Sequence, residues 1–345
     1  LNNLIADHLV RQGLGRSLLE RLRSRRLPVV TTFYAPALAA DRAHCTPVYC
    51  GICDADLNRV WVASDAAQSH IRYFAPCGRV MRRLRQYGVP DDAIFITGFP
   101  LPRENIGGPG METLKRDLLR RLGRIDPVGR FASVFGATVR ELLGEEPPPA
   151  GPEARVTVTF AVGGAGAQSE IGVALAQSLR PGILDGRFRL ALVAGVNPRA
   201  EEVFREAVSR LGLDDALGHG VLVVREETKP AYFDRFDALM RETDVLWSKP
   251  SELSFYSGLG IPIVMAPPIG SHELKNMRWL TDKGAALPQY TPALALEWLT
   301  DMMRDGVLAE KAFSGFVKNR TLGAYKIEEV LRTGTMTRET HPLRR

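Results

Sequence analysis

The sequence has no uninterrupted run of about 20 apolar residues, the length that a membrane-spanning helix requires. It also lacks a strong charge imbalance, since 45 lysines and arginines face 39 aspartates and glutamates, a net charge of +6. This mild excess suits acidic small molecules, phosphates or an anionic membrane surface, and is too weak to indicate nucleic-acid binding. Apolar residues make up 45% and charged residues 24% of the chain, which excludes extensive disorder.

Cysteine is scarce, and the four cysteines lie in one region: Cys45, Cys50, Cys53 and Cys77. Their spacing is compatible with an iron–sulfur cluster or, with the adjacent His44, a structural zinc. However, Cys50 and Cys53 lie in an apolar, strand-like run, where cysteines usually act as small buried hydrophobic side chains. We therefore predict no metal site. Disulfides are not expected either, because no secretory signal pattern is present.

The N-terminal residues show no signal-peptide pattern, and the given sequence begins with Leu1 inside a helical pattern. We expect the chain to be a fragment with a truncated N-terminal lobe, located in the cytoplasm. Two basic helical stretches, 11–26 and 78–88, keep leucine or methionine on one face. The preferred interpretation is a solvated helix over the core, and the alternative is a peripheral contact with anionic head groups at the inner membrane face.

Short β-rich runs alternate with helical patterns along the chain. The N-terminal strands are predicted at 27–35, 48–53, 58–64 and 93–100, with one or two helices between the last two. A proline-rich acidic stretch at 145–153 is the strongest linker signal, and the alternation then resumes. This pattern predicts an α/β fold of two Rossmann-like, doubly wound parallel-sheet lobes facing a cleft. The predicted parts are an N-terminal lobe with a helical linker over 1–150, a C-terminal lobe over 151–310, and a helix and tail over 311–345 that crosses back to the first lobe.

A glycine-rich segment joins a β-branched strand to a helix that begins near Ser169. It consists of Gly163, Gly164, Ala165, Gly166 and Ala167. Glycines allow close backbone approach, and the N–H groups of a helix N-terminus attract anions, most often phosphate. The segment lacks the third glycine and the later acidic residue of a dinucleotide site, and it has no Walker lysine. It is typical of a phosphate-binding loop, and a tight turn without a ligand remains the alternative.

Polar residues follow two later strands at the same predicted sheet edge. They are Lys249, Ser251 and Glu252 after the first strand, and His272, Glu273 and Asn276 after the second. Ligands of open α/β sheets lie beyond the carboxyl ends of the strands, so we expect these residues to converge on the glycine-rich segment.

The order of these motifs resembles that of GT-B glycosyltransferases. It is similar in particular to the bacterial N-acetylglucosaminyltransferase of the peptidoglycan lipid intermediate and to the monogalactosyldiacylglycerol synthases. The stretches "DLNRVWVASDAA" and "LRQYGVPDDAIFITGFPLP" fit the N-terminal lobe of that family. The resemblance implies a nucleotide-sugar donor, expected to be a UDP-sugar, with Gly163–Ala167 at its diphosphate and Gly195 near its base. It further implies that His272, Glu273 and Asn276 reach the sugar hydroxyls or the phosphate, and that the acceptor is a hydroxyl, in some relatives lipid-linked.

The chain departs from the family at the position of the ribose-binding glutamate. That position is occupied by Phe255, because the segment after Lys249 is about two residues shorter. Three interpretations stay open: Glu252 or Ser254 substitutes, nucleotide selectivity differs, or donor binding is lost.

For the catalytic base, Asp41 and His44 are the named candidates, with Asp54 and Asp56 as rivals. The alternative, a surface aspartate and a capping histidine, is preferred for the first pair. The predicted function is sugar transfer from a nucleotide-diphosphate sugar to an acceptor hydroxyl, with no additional cofactor. The alternatives are a non-catalytic nucleotide-sugar-binding or scaffold protein and a sugar-nucleotide epimerase or hydrolase of the same fold.

Overall fold

The structure is a computed structural model that describes residues 8–10, 12, 13, 15–25, 27–149, 151, 154–162, 168–341 and 343. The chain divides into two compact units. The first unit comprises Leu1–Leu101 and Arg320–Arg345, and the second comprises Pro102–Asn319. Within the described ranges, every helix is too short or too polar to cross a membrane.

The strands of the described residues all pair in parallel. They are β1 Val29–Thr31, β2 Val48–Gly51, β3 Ile71–Phe74, β4 Ile94–Phe95, β5 Val156–Ala161, β6 Phe188–Gly195, β7 Val221–Arg225, β8 Val245–Ser248, β9 Ile263–Met265 and β10 Ala286–Pro288. The α-helices are α1 Arg16–Arg25, α2 Tyr34–Arg42, α3 Gly78–Gln86, α4 Arg103–Ile106, α5 Glu112–Ile125, α6 Arg130–Leu143, α7 Ser169–Leu184, α8 Pro198–Arg210, α9 Lys229–Glu242, α10 Ser271–Lys283, α11 Ala295–Arg304, α12 Val307–Lys318 and α13 Gly323–Thr333.

The first unit contains a sheet of order β1-β2-β3-β4. Tyr49, Phe74 and Phe95 form a buried cluster on it, with the Tyr49 and Phe74 rings stacked 5.3 Å apart. Val330 of α13 completes this cluster. The C-terminal helix is therefore part of the core of the first unit.

The second unit contains a sheet of order β10-β9-β8-β5-β6-β7. Every residue of the central strand β5 is buried, as expected when helices cover both faces of a parallel sheet. In chain order within this unit, the strands follow the 3-2-1-4-5-6 arrangement of the doubly wound fold. The prediction of an α/β fold with two parallel sheets is confirmed.

The unit boundary differs from the predicted one at residue 150. Residues 102–149 belong to the second unit. Arg121 of α5 explains this, because its guanidinium donates to the backbone oxygens of Thr243 at 2.7 Å and of Leu259 and Gly260 at 3.1 Å. The C-terminal segment joins the first unit from Arg320 onward, rather than from residue 311.

The predicted strand over 58–64 is wrong. Residues Arg59–Trp61 form a 3-10 helix, and the strand β3 lies later, within a stretch assigned to helix. The Arg59 guanidinium donates to the carbonyl oxygens of Val62 at 2.7 Å and Ser64 at 3.1 Å, and the Tyr73 hydroxyl donates to that of Trp61. Side chains thus satisfy carbonyl groups that a neighbouring strand would otherwise pair.

The four cysteines lie in the described part of the first unit, and no disulfide joins them. Cys50 and Cys77 are buried, and burial raises the pKa of the Cys50 thiol far above its usual range. Among the described residues, no group of three or more histidine, cysteine, aspartate or glutamate side chains is placed to hold a metal ion.

Candidate functional site

The candidate site lies at the carboxyl edge of the second sheet, between β5 and β8. The pairing of Ala161 with Ser248 places the ends of these strands side by side, so Val162 and Lys249 leave the sheet together. This is the point where the strand order reverses, and ligands of doubly wound sheets bind there. Gly163–Ala167 follow Val162 but lie outside the described residues, so their assignment to a diphosphate stays a prediction.

The helix α7 begins directly after this segment. Gln168, in a left-handed conformation with φ of 68°, precedes it, and its side-chain amide donates to the carbonyl oxygen of Pro267 at 3.0 Å. This contact fixes the start of α7 to the segment after β9. The N–H groups of the first turn of a helix favour an anion. Sequence reasoning missed Gln168, and its place immediately before the helix was the available signal.

Lys249 and Glu273 form an ion pair at this edge. The Lys249 Nζ lies 2.6 Å from Glu273 Oε1, and the Glu273 side chain is only 2% exposed. The second carboxylate oxygen accepts from the backbone N–H groups of Ile269 at 2.6 Å and Gly270 at 3.4 Å. Burial alone raises the pKa of Glu273, but the Lys249 ammonium and the N–H donors more than offset it and hold the pKa below its usual value.

This geometry bears on the predicted contact between Glu273 and sugar hydroxyls. Both of its oxygens are occupied by protein donors, and the residue is buried. A ligand hydroxyl would have to displace one of those donors. The structure therefore gives Glu273 a positioning role, in which it holds Lys249 and the start of α10 in place.

His272 and Asn276 occupy different environments on α10. The His272 side chain is 56% exposed, with Nε2 3.9 Å from Glu273 Oε1, so it remains accessible at the sheet edge. Asn276 is fully buried, and its side-chain amide donates to the carbonyl oxygen of Pro250 at 3.1 Å. Asn276 thus links α10 to the loop after β8.

The segment after Lys249 is a turn followed by a 3-10 helix, Glu252–Leu259. Ser251 is buried, whereas Glu252 is exposed. Phe255 packs against Trp279 with the ring centroids 5.0 Å apart, and it is buried. Phe255, the position that the resemblance aligns with a ribose-binding carboxylate, is therefore part of the core.

Gly195, the last residue of β6, lies beside an aromatic ring that the sequence did not single out. Its φ is 68°, and a Cβ atom there would lie 4.0 Å from the ring of Tyr232. Burial, together with the nearby carboxylates of Glu252 and Asp237, raises the pKa of Tyr232 to about 12, so its hydroxyl stays protonated. Tyr232 is the first aromatic residue of α9, a position that carries no distinctive sequence signal.

Asp41 and His44, the candidates for the catalytic base, lie in the first unit. Asp41 Oδ1 accepts from the backbone N–H of His70 at 2.7 Å, and Oδ2 accepts from Ser69 Oγ at 2.9 Å, just before β3 begins. The His44 ring is 6.1 Å from that of His70. These residues occupy the amino-terminal edge of the first sheet, opposite the edge where ligands of such sheets bind. The geometry supports a role in fixing this turn and argues against proton transfer.

Asp54 and Asp56, the other two candidates for the catalytic base, lie in different environments. Asp56 is buried, accepts from the Arg83 guanidinium at 3.1 Å and from the backbone N–H of Leu57 at 2.9 Å, and so has a structural role. Asp54 is half-buried and follows the carboxyl end of β2.

Comparisons with known sequences give partial matches. A family model described as a domain of unknown function (DUF6938) matches residues 211–327. The processive diacylglycerol β-glucosyltransferase of Bacillus subtilis (strain 168) is 25% identical over 125 residues, which cover 36% of this chain. The match spans 30% of the length of that curated relative.

Comparisons with solved structures cover nearly the whole chain. The S. aureus MnaA–UDP co-structure has a TM-score of 0.53 at 10% identity, covering 95% of this chain and 78% of that one. UDP-GlcNAc 2-epimerase from Neisseria meningitidis, bound to UDP-GlcNAc, has a TM-score of 0.52 at 14% identity. The match covers 96% of this chain and 82% of that one. These likenesses confirm the GT-B-type fold that the motif order resembles.

Proposed function

We propose that the chain binds a nucleotide-diphosphate sugar at the carboxyl edge of the second sheet and transfers its sugar to an acceptor hydroxyl. The observation that carries the proposal is that Lys249 and Val162, the residue before the glycine-rich segment, follow paired strand ends at the switch point of the sheet. The short match to a glucosyltransferase also supports sugar transfer. We propose a UDP-sugar as donor, because the similar solved structures hold UDP or UDP-GlcNAc.

In this proposal, fixed positive groups stabilise the charge that develops on the leaving diphosphate. The N–H groups at the start of α7 supply one part and the Lys249 ammonium the other. Glu273 keeps the ammonium at the sheet edge before the donor arrives. Gly195 carries no side chain beside the Tyr232 ring, and in this proposal the base of the nucleotide lies there. The Tyr232 ring offers it a stacking partner.

A binding experiment tests the donor site. We expect UDP and UDP-GlcNAc to bind the wild-type protein in calorimetric titration, and Lys249→Met/Glu273→Gln to bind at least about tenfold more weakly because a charge-assisted contact is lost. The double substitution neutralises both partners, so it leaves no unpaired buried charge. Lys311→Ala, in α12 of the same unit, is the control. Equal affinity of the double variant and the control, or no binding by the wild type, contradicts the proposed site.

A second candidate function is epimerisation of the bound sugar, because the Neisseria meningitidis structure is that of a UDP-GlcNAc 2-epimerase. NMR spectra of UDP-GlcNAc incubated with the protein distinguish the two. Release of UDP that depends on an added acceptor alcohol supports transfer. A new UDP-linked sugar without UDP release supports epimerisation. Binding without either change favours a non-catalytic nucleotide-sugar-binding protein and contradicts both reactions.

A further inference from the structure

The first unit contains a cavity that the proposed function does not use. It has a volume of about 680 Å³ and lies among the end of α3, strand β4 and the residues that follow α13. This volume is within the range of small-molecule sites, about 300–1,000 Å³. Its apolar lining consists of Met81, Ile94, Ile96 and Met336.

The charged lining of this cavity is mainly positive. Arg85, Arg320, Lys326 and Arg338 carry positive charges, whereas Asp91 and Glu339 are the carboxylates. Positive charges thus exceed negative ones by two among the lining residues, and by one when Glu329, which pairs with Lys326 from outside the lining, is included. Such an excess beside an apolar surface favours an anion that carries an apolar group.

Some of these charged side chains form ion pairs in the walls of the cavity. The buried Lys326 Nζ lies 2.8 Å from Glu339 Oε1 and 3.1 Å from Glu329 Oε2. The Arg85 guanidinium donates to both oxygens of Asp91, at 2.6 and 3.1 Å. The exposed Arg338 also lines the cavity. The two sets of ion pairs contribute to the cavity walls, and Arg338 adds to the positive charge of the lining.

One wall of the cavity is the segment 336–341. It supplies six of the lining residues. The segment is attached at its start, where the backbone N–H of Thr337 donates to Glu329 Oε1 at 2.6 Å and Met336 packs against the Tyr49 cluster. Lys326 attaches it again through Glu339. A ligand in the cavity would contact this wall, so binding and local opening of the segment are thermodynamically linked.

We propose that this cavity binds a phosphate ester that carries an apolar group, at a site separate from the nucleotide-sugar site. Guanidinium groups match the geometry of phosphate oxygens, and methionine and isoleucine side chains adapt to an apolar group. A soluble metabolite and a lipid head group share this chemistry. The proposal does not depend on the proposed function, since every lining residue belongs to the first unit.

The test uses phenyl phosphate as the soluble probe and hydrogen exchange of the backbone amides in 336–341 as the local readout. We expect saturating phenyl phosphate to slow this exchange at least about fivefold, because a ligand stabilises the closed segment by mass action. Arg338→Glu is expected to weaken binding about tenfold through the loss of a charge-assisted contact. Arg332→Glu is the matched control, because Arg332 is exposed on α13 and does not line the cavity.

A second arm identifies the source of the phosphate. Co-sedimentation with phosphatidylcholine vesicles, with and without phosphatidic acid, presents the same group at a membrane. If only the response to phenyl phosphate depends on Arg338, the site binds a soluble ester. If only vesicle binding depends on Arg338, the site binds a lipid head group. If Arg338→Glu and Arg332→Glu behave alike in both arms, the proposal is overturned. Lys249→Met/Glu273→Gln should leave the phenyl phosphate response unchanged, which separates this test from that of the nucleotide-sugar site.

Discussion

Buried charged side chains in the second unit hold backbone groups in place. Arg121 is 2% exposed, and its guanidinium donates to carbonyl oxygens at the end of α9 and around Gly260. Burial lowers the pKa of Arg121 to about 10, which leaves it charged at neutral pH. Glu273 acts similarly on Ile269 and Gly270. Both residues use charge-assisted hydrogen bonds to hold segments that lie outside the strands.

Replacement of Arg121 tests this role. We expect Arg121→Met to lower the free energy of unfolding by about 3–5 kcal/mol, because it leaves several buried carbonyl groups without a donor. Urea unfolding followed by circular dichroism measures the change. Arg116→Met, on the exposed face of the same helix, should change stability by less than about 0.5 kcal/mol. Similar losses for both variants would contradict the role of Arg121.

Asp237 gives the second unit a dependence on pH. Burial, with the carboxylates of Glu104 and Asp234, raises its pKa to about 6, although the Tyr256 hydroxyl donates to it at 3.4 Å. The folded state therefore binds this proton more tightly than the unfolded state, whose ordinary pKa is 3.8. Protonation of Asp237 therefore adds to the free energy of unfolding at low pH, and this contribution is lost as the pH rises from about 4 to about 6.

We expect Asp237→Asn to remove this loss, since asparagine carries no charge to desolvate. The variant should be more stable than the wild type by about 1 kcal/mol at pH 8 and equally stable at pH 4. The expected difference at pH 8 is smaller than the pKa shift alone would give, because the partly exposed side chain is screened by solvent. Urea unfolding at both pH values measures the difference. Asp215→Asn, at an exposed site, is the control. A variant that is less stable at pH 8 would show that the charge is favourable.

At the scale of elements, several helix starts follow from local sequence. Asn197 accepts from the N–H groups of Arg199 and Ala200 at the start of α8, and Thr228 accepts from that of Ala231 at the start of α9. In each case a proline follows within the first turn, a recognised start signal. The helix α6 starts differently. The buried Asp126, before the turn, accepts from the N–H groups of Phe131 at 3.1 Å and Ala132 at 2.9 Å.

Asp126→Ala should therefore destabilise the second unit by about 1–2 kcal/mol, the usual cost of losing a helix cap. Asp126→Asn keeps an acceptor oxygen and should lose less than half of this. Thermal unfolding of both variants gives the comparison. If both lose the same amount, the charge near the helix N-terminus matters more than the hydrogen bonds.

At the scale of the whole molecule, the division at Leu101 and Pro102 predicts which part folds by itself. We expect a fragment of residues 102–319 to unfold cooperatively in urea. A fragment of residues 151–319 should fail to do so, because it lacks Arg121 and exposes the apolar surface that α5 covers. Circular dichroism and proton NMR dispersion compare the two. Cooperative unfolding of the shorter fragment would support the boundary at 150.

The sequence by itself determined the alternation of strands and helices, the two parallel sheets and the position of the polar residues after β8 and β9. These features depend on local periodicity and on the rule that parallel strands end at one edge. The tertiary structure alone decided the rest. It assigned residues 102–149 to the second unit through Arg121, and it replaced a predicted strand at 58–64 by a 3-10 helix held by Arg59 and Tyr73.

The tertiary structure also gave Glu273 a buried ion pair with Lys249 and placed Asp41 at the amino-terminal edge of the first sheet. Both of these last outcomes depend on hydrogen bonds between residues that are distant in the chain, Lys249 with Glu273 and Asp41 with His70. Such partners leave no periodic signal, because one side chain at one position is sufficient to make the contact.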